Sequence, residues 1–273
     1  MHFRQTYNEA PSKLAVIDIE TIAPSTADGS FPPWAKHRPI VASVLTADQV
    51  NYGQWRFSIT SVTFEDERAA IARIDELLHN RTCIGFNSRG FDLPILAVTA
   101  SRCFMFEASN LRDAWTSKRY DRGHIDVADF VSGYGAAPRV SLEMLCEALG
   151  IPVKTMGHGG DVAEMLREKG IESVARYCEE DVASTLVVFA MVQALRSVDT
   201  GYAASLLCDL VNWIADAGHE HLAAFRKLSS HAVLQQARLL HRLDEGIMAL
   251  DDRARTAFFE GDGAQPLKQA KTR

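Results

Sequence analysis

No stretch of this chain holds the ~20 consecutive apolar residues that a membrane-spanning helix needs, so none is expected. The amino terminus, Met1 to Glu9, lacks the charged-then-apolar layout of a secretory leader, and the expected location is cytoplasmic. Cysteine is sparse and scattered. Cys83, Cys103, Cys146, Cys178 and Cys208 form no Cys-x-x-Cys pair, which argues for reduced, mostly buried thiols and against a disulfide or zinc framework. Positive charge is in deficit, with 29 Lys and Arg against 35 Asp and Glu and a formal charge of −6. That argues against a protein that coats nucleic acid through a general basic surface, though not against an enzyme with an acidic metal centre. There is no Gly-x-x-x-x-Gly-Lys-Ser/Thr loop for a nucleotide triphosphate, and the nine histidines form no His-Glu-x-x-His zinc pattern.

What is present is an ordinary globular composition, 47% hydrophobic and 23% charged, over 273 residues. That length fits one large domain, or a domain of about 200 residues with an appendage. Leu14–Ile19 is a short β-branched run suited to a buried central strand. Four prolines and Gly29 then mark an irregular excursion before strand character returns at Ile40–Leu45 and Trp55–Val62. Thr63 is the expected N-cap of a helix whose apolar residues are Ile71, Ile74, Leu77 and Leu78. Cys83–Phe86 is another strand candidate, and Phe91 onward reads as a buried helix ending near Phe106. Arg112–Gly123 reads as a loop or short helix, and His124–Phe130 as a short element. Ser141 caps Leu142–Leu149, with Gly150-Ile-Pro152 as the stop. Gly157–Gly160 reads as a turn carrying an ordinary loop histidine, His158. Asp161–Glu168 and Ile171–Arg196 read as helices. Helical periodicity covers 202–215 and 219–249 (Leu222, Phe225, Leu228, Val233, Ala237, Leu240), and Gly261–Arg273 reads as disordered. Strands first and helices later indicate an α/β or α+β sandwich.

Four acids stand in recognisable settings. Asp18 and Glu20 are two apart on the first strand, so both face one side of the sheet. Two carboxylates at the end of an apolar strand are costly without a counter-ion. Tyr177 and Asp181 are four apart on a helix and share a face, whereas Glu179 and Glu180 point elsewhere and read as solvated. Asp92 follows a glycine-containing loop, Gly85-Phe-Asn-Ser-Arg-Gly-Phe-Asp92, and could simply cap a helix. Asn87 and Phe91 beside it could hydrogen-bond to and stack on a nucleotide. If the acids converge, their mutual repulsion calls for bridging divalent cations, and hard oxygen ligands suit Mg²⁺ or Mn²⁺. Lys118–Arg122, with Arg89, is the best basic-plus-aromatic patch, its ordinary reading being a solvated loop.

Taken in this order, Val16-Ile-Asp-Ile-Glu-Thr21, Gly85–Pro94 and Tyr177-Cys-Glu-Glu-Asp181 resemble the three motifs of the DEDD superfamily of 3′–5′ exonucleases. The tyrosine four before the last Asp is the pattern of the tyrosine branch; where the histidine branch carries its His, this chain has Arg176. Within that branch it is similar to predicted bacterial exonucleases related to the proofreading domain of family-B DNA polymerases, over roughly residues 12–195. The resemblance implies a ribonuclease H-like fold, a mixed five-stranded sheet flanked by helices. The expected division of the chain is a nuclease domain (1–198), a helical C-terminal extension (199–260) for which the resemblance offers no counterpart, and a tail (261–273). It implies that Asp18, Glu20, Asp92 and Asp181 hold two divalent cations and that Tyr177 positions the attacking water. Thr21 and Asn87 match positions that touch the terminal nucleotide. The implied substrate is a single-stranded or frayed DNA 3′ end, released as nucleoside 5′-monophosphates. The alternatives are an exoribonuclease with the same site and a non-catalytic nucleic-acid-binding scaffold.

Overall fold

The structure, a computed structural model, describes residues 10–51, 53–151 and 162–232, with positions 234, 235, 239, 242 and 250 beyond them. The apolar run at the start becomes β1 (Lys13–Ile22), the middle strand of a five-stranded sheet. On one side it pairs antiparallel with β2 (Arg38–Asn51), which pairs antiparallel with β3 (Gln54–Thr63). On the other side it pairs parallel with β4 (Thr82–Gly85), and β4 pairs parallel with β5 (His124–Asp126). The order β3-β2-β1-β4-β5 is the mixed, ribonuclease H-like sheet flanked by helices that the sequence implied.

The period-2 alternation of β1 separates two cores. Ala15, Ile17 and Ile19 face α1 (Glu67–Leu78), α2 (Asp92–Arg102) and α3 (Ser109–Thr116). Leu14 and Val16 face α7 (Ile171–Ser197) and α8 (Thr200–Asp216). Between these lie three short helices: α4 (Val127–Val131), α5 (Leu142–Leu149) and α6 (Val162–Lys169). From Val182 to Ala190 every residue of α7 is buried, because the helix is held between the sheet on one side and α8 on the other.

Several expectations are corrected. The N-cap of α1 is Asp66, not Thr63: its carboxylate accepts from the N–H groups of Arg68 and Ala69, both at 3.0 Å, while Thr63 ends β3. The helix from Asp92 stops at Arg102, well before Phe106. Residues Glu220–Ser230 form a 3-10 segment rather than an α-helix, consistent with Leu222, Phe225 and Leu228 recurring every third residue. His158, most of the 233–249 stretch and the 261–273 tail lie outside the described residues.

The C-terminal elements share the core of the sheet. Leu206, Leu207, Leu210 and Ile214 of α8 pack in one cluster with Trp55 and Phe57 of β3. Trp55 donates its backbone N–H to Asp209 (2.8 Å) and its indole N–H to Ser205 (3.1 Å), and the Tyr202 hydroxyl donates to the Pro11 carbonyl (2.9 Å). Among the described residues no helix is long and apolar enough to cross a membrane.

Candidate active site

The length of β4 creates the site. β4 pairs with β1 only at Leu14–Val16, so β1 from Ile17 onward has an open edge on that side. The chain leaves β4 at Gly85 through a tight loop. A Cβ at Gly85 would lie 2.3 Å from the Ser88 hydroxyl, so only glycine permits this approach. Asn87 takes a left-handed conformation (φ 57°), which asparagine tolerates better than most residues. Asp126, at the end of β5, holds the loop by accepting from the N–H groups of Asn87 and Arg89, both at 2.9 Å. The loop delivers Asp92 to the first turn of α2, where its carboxylate accepts the N–H of Ile19 at 3.1 Å on the open edge of β1. Asp92 therefore does not cap the helix; it reaches back to the strand between Asp18 and Glu20.

Asp18 and Glu20 continue the face of Leu14 and Val16, towards α7. There the Cys178 thiol donates to a carboxylate oxygen and to the carbonyl of Asp18, both at 3.3 Å. One ligand-type atom each from Asp18, Glu20 and Cys178 lie within 4.8 Å of one another. Burial pushes the Cys178 thiol well up, and the negative charges of Asp18, Glu20 and Asp181 add to this, so the sulfur stays protonated and acts as a donor. Asp181 follows on the same helix, 7% exposed, and Glu20 is 8% exposed. Burial raises Asp92 to about 7, with Asp126 and Asp181 contributing like charge against the hydrogen bonds that lower it. Asp18 and Glu20 thus lie together near the carboxyl end of β1, Asp92 binds the strand amide between them, and Asp181 is near enough to Asp92 and Cys178 for its charge to raise both. Tyr177 is buried, packed with Val41, Val162, Met165 and Val174.

The expected nucleotide contacts divide into two groups. The Thr21 hydroxyl is hydrogen-bonded to His37 Nδ1 (2.7 Å), just past the irregularity in β1 between Glu20 and Thr21. The His37 ring lies 4.9 Å from both Phe31 and Phe91, and Phe31, in the excursion after β1, is 74% exposed. Asn87 accepts from Arg139 (2.6 Å).

Sequence reasoning missed Cys178 as a neighbour of the acids, Asp126 as the clamp on the loop, and Phe31 and His37 as partners of Phe91. It also misread two glutamates. Glu180 is 2% exposed, while Glu179 accepts from Ser61 Oγ (2.6 Å) and pairs with His221 (2.6 Å), holding the 3-10 segment to α7 and β3. Only the aromatic loop carried a signal, its Phe31, Trp34 and His37 standing among prolines that fix the backbone.

Clustered carboxylates of this kind are the hard-oxygen ligands that divalent cations use when they assist phosphodiester cleavage. Residues 29–229 match a family described as predicted 3′–5′ exonucleases related to the exonuclease domain of PolB, and the chain belongs to that family. The matched segment includes Asp92, Tyr177 and Asp181 and begins after Asp18 and Glu20, whose proximity to them is seen in the geometry. Among solved structures, the family B DNA polymerase from the hyperthermophilic archaeon Pyrobaculum calidifontis is similar at 22% identity and a TM-score of 0.47, over 75% of this chain and 28% of that one. E. coli exonuclease I in complex with a dT13 oligonucleotide is similar at 17% identity and a TM-score of 0.37, over 69% of this chain and 43% of that one. The chain therefore spans less than half the length of either structure. No curated protein matches.

Proposed function

We propose that the enzyme removes nucleotides from the 3′ end of single-stranded DNA, or of frayed duplex ends, and releases nucleoside 5′-monophosphates. Asp18, Glu20, Asp92 and Asp181 would hold two divalent cations, Mg²⁺ or Mn²⁺. The observation that carries this reading is the reach of Asp92 to Ile19 N–H, which sets a third carboxylate between Asp18 and Glu20 on the open edge of β1. The donor set fits the cations: the ligands are hard oxygens, three of the four side chains are buried, and like charge helps hold Asp92 at about 7. Divalent cations would reverse that cost.

When bound, the cations would lower the pKa of water and stabilise the departing 3′ oxygen. The residues of the chain do the rest. Asp18 is oriented by the Cys178 thiol, and Asp92 by the N–H of Ile19. Tyr177 lies one helical turn before Asp181, the place from which a phenol would orient the attacking water. Phe31 and Phe91, flanking His37 next to Thr21, offer apolar faces on which an unpaired terminal base would stack. That preference for a splayed end favours single strands over intact duplex. The segment from residue 199 is read as a helical extension docked on β3 rather than as a second catalytic unit.

The test is a 5′-labelled single-stranded DNA incubated with Mn²⁺ and resolved over time on a sequencing gel. A ladder shortening one nucleotide at a time from the 3′ end, abolished by EDTA, supports the proposal. Degradation of RNA alone would move the substrate to RNA, and survival of both strands would leave a non-catalytic scaffold.

A further inference from the structure

A second concave feature lies away from the acids, along the edge strand β5 and the far end of α7. It is a shallow cleft spanning about 570 Å³ with its open solvent included, and its walls carry four arginines, Arg89, Arg119, Arg122 and Arg196, with Tyr120 and Tyr134. Fifteen residues of α7 separate Asp181 from Arg196, so the far wall is roughly 20 Å from the acids at 1.5 Å per residue.

Three carboxylates also line the cleft, Asp121, Asp126 and Asp129, and two of them have structural tasks. Asp126 spends both oxygens on backbone N–H groups: those of Asn87 and Arg89 in the loop, and of Ala128 and Asp129 in the first turn of α4. Asp121 closes its own turn by accepting the N–H of Lys118 (2.9 Å). Asp129 is left as the buried counter-ion for three guanidinium groups, Arg119 at 3.1 Å and Arg89 and Arg139 at 3.6 Å. Four arginines against three carboxylates leave the lining one positive charge in excess, on a protein that is acidic overall.

The aromatic groups give the site a second character. The Tyr120 and Tyr134 rings meet at 4.8 Å with Tyr120 largely exposed, and the Arg196 guanidinium lies 4.6 Å over the Phe130 ring. Guanidinium groups interleaved with aromatic faces are the chemistry that holds single-stranded nucleic acid through phosphate contacts and sequence-tolerant stacking. The cleft is joined to the acids by one loop. Arg89, which lines the cleft, belongs to the loop that carries Asn87 and Asp92, and Arg139 bridges Asn87 to Asp129.

We propose that this cleft is a second nucleic-acid subsite, binding the phosphodiester backbone of the single strand several nucleotides 5′ of the end held at the acids. The direction of the strand rests on the exonuclease reading; the anionic, base-bearing character of the ligand does not. A strand held at both places is retained after each cleavage, so the cleft would make degradation of long strands more processive than that of short ones.

The test compares the wild type with Arg119→Gln/Arg122→Gln and with Arg122→Gln alone, whose residue is exposed. Binding of fluorescein-labelled 16-mer and trinucleotide DNA is measured by anisotropy across a salt series, with Ca²⁺ as the cation to slow cleavage. The double variant should bind the 16-mer at least about tenfold more weakly. Its log Kd against log salt slope should fall by about 1.4, two contacts at ~0.7 each on a single strand. The single variant should lose about half of that slope. A trinucleotide, about 10 Å long when stacked, cannot span both sites and should change far less. Unchanged 16-mer affinity and slope in folded variants would overturn the subsite while leaving the exonuclease assay untouched. Loss of 5′-dAMP binding with strand affinity intact would overturn it in favour of a free-nucleotide pocket. A wild type that binds the 16-mer through these arginines but cuts neither DNA nor RNA would uphold the subsite and sink the exonuclease reading.

Discussion

One buried imidazole beneath the Asp92 loop should contribute a loss of stability on acidification. His124 is fully buried in β5, with Nε2 2.8 Å from the Ser88 hydroxyl and with no hydrogen-bond partner for Nδ1 among the described residues. Protonation would add a charge and a second N–H with no acceptor. Burial, reinforced by the nearby Arg89 guanidinium, accordingly drives the ring down from 6.5 to about 3. Between those values the unfolded chain binds the proton and the folded chain does not, so stability falls as the pH drops through 6.5. Integrated from pH 7.5 to pH 5, the loss is about 2 kcal/mol. Asp92, raised to about 7, works in the opposite direction by about 2.5 kcal/mol over the same range and masks the whole of the slope in the wild type. The comparison with His124→Gln removes that masking, since Asp92 titrates in both proteins. Urea unfolding in EDTA at each pH gives the two curves. The variant should start less stable, and its change in stability on acidification should be about 2 kcal/mol more favourable than that of the wild type. Equal changes in both proteins would show that folding does not depress the imidazole, and the reasoning would fail.

Other expectations follow from the acidic site. Asp18→Ala or Asp181→Ala should reduce the exonuclease rate by at least about 1,000-fold, near the limit seen when charge stabilisation in a transition state is removed, with circular dichroism unchanged. Tyr177→Phe removes orientation and not charge, so its loss should be on the order of 100-fold or less, and wild-type rates in single-turnover assays would deny the tyrosine its role. Gly85→Ala would force the Ser88 side chain aside and should cost about 1–3 kcal/mol in chemical denaturation, with activity falling through the displaced loop.

Much of this arrangement was legible because it is local. The strand period puts Asp18 and Glu20 on one face, the helical period aligns Tyr177 with Asp181, and Ser141 and Gly150 bound α5 as read. What could not be read depends on partners distant in sequence. Asp92 meets Ile19 across 73 residues, Cys178 meets Asp18 across 160, and Glu179 meets Ser61 across 118. No periodicity of the chain encodes those distances. Motif order alone tied Asp92 to the other acids, and nothing tied Glu179 to β3. The cap of α1 was misplaced by three residues because Thr63 and Asp66 are equally good capping types, and only the end of β3 decides between them.

The brevity of β4 has a consequence beyond the placement of ligands. A strand margin with bare backbone amides is adhesive, and folded proteins must shield such margins from strands of other molecules. Here the shield is Asp92 itself, which occupies the Ile19 amide. Lengthening β4 by two residues would close the margin with ordinary pairing and erase the pocket of acids. Deleting the carboxylate would leave the buried Ile19 amide without that acceptor, a cost of about 1–3 kcal/mol. Stability and activity thus lean on the same side chain, and inactive Asp92 variants should be judged for folding before they are judged as catalysts.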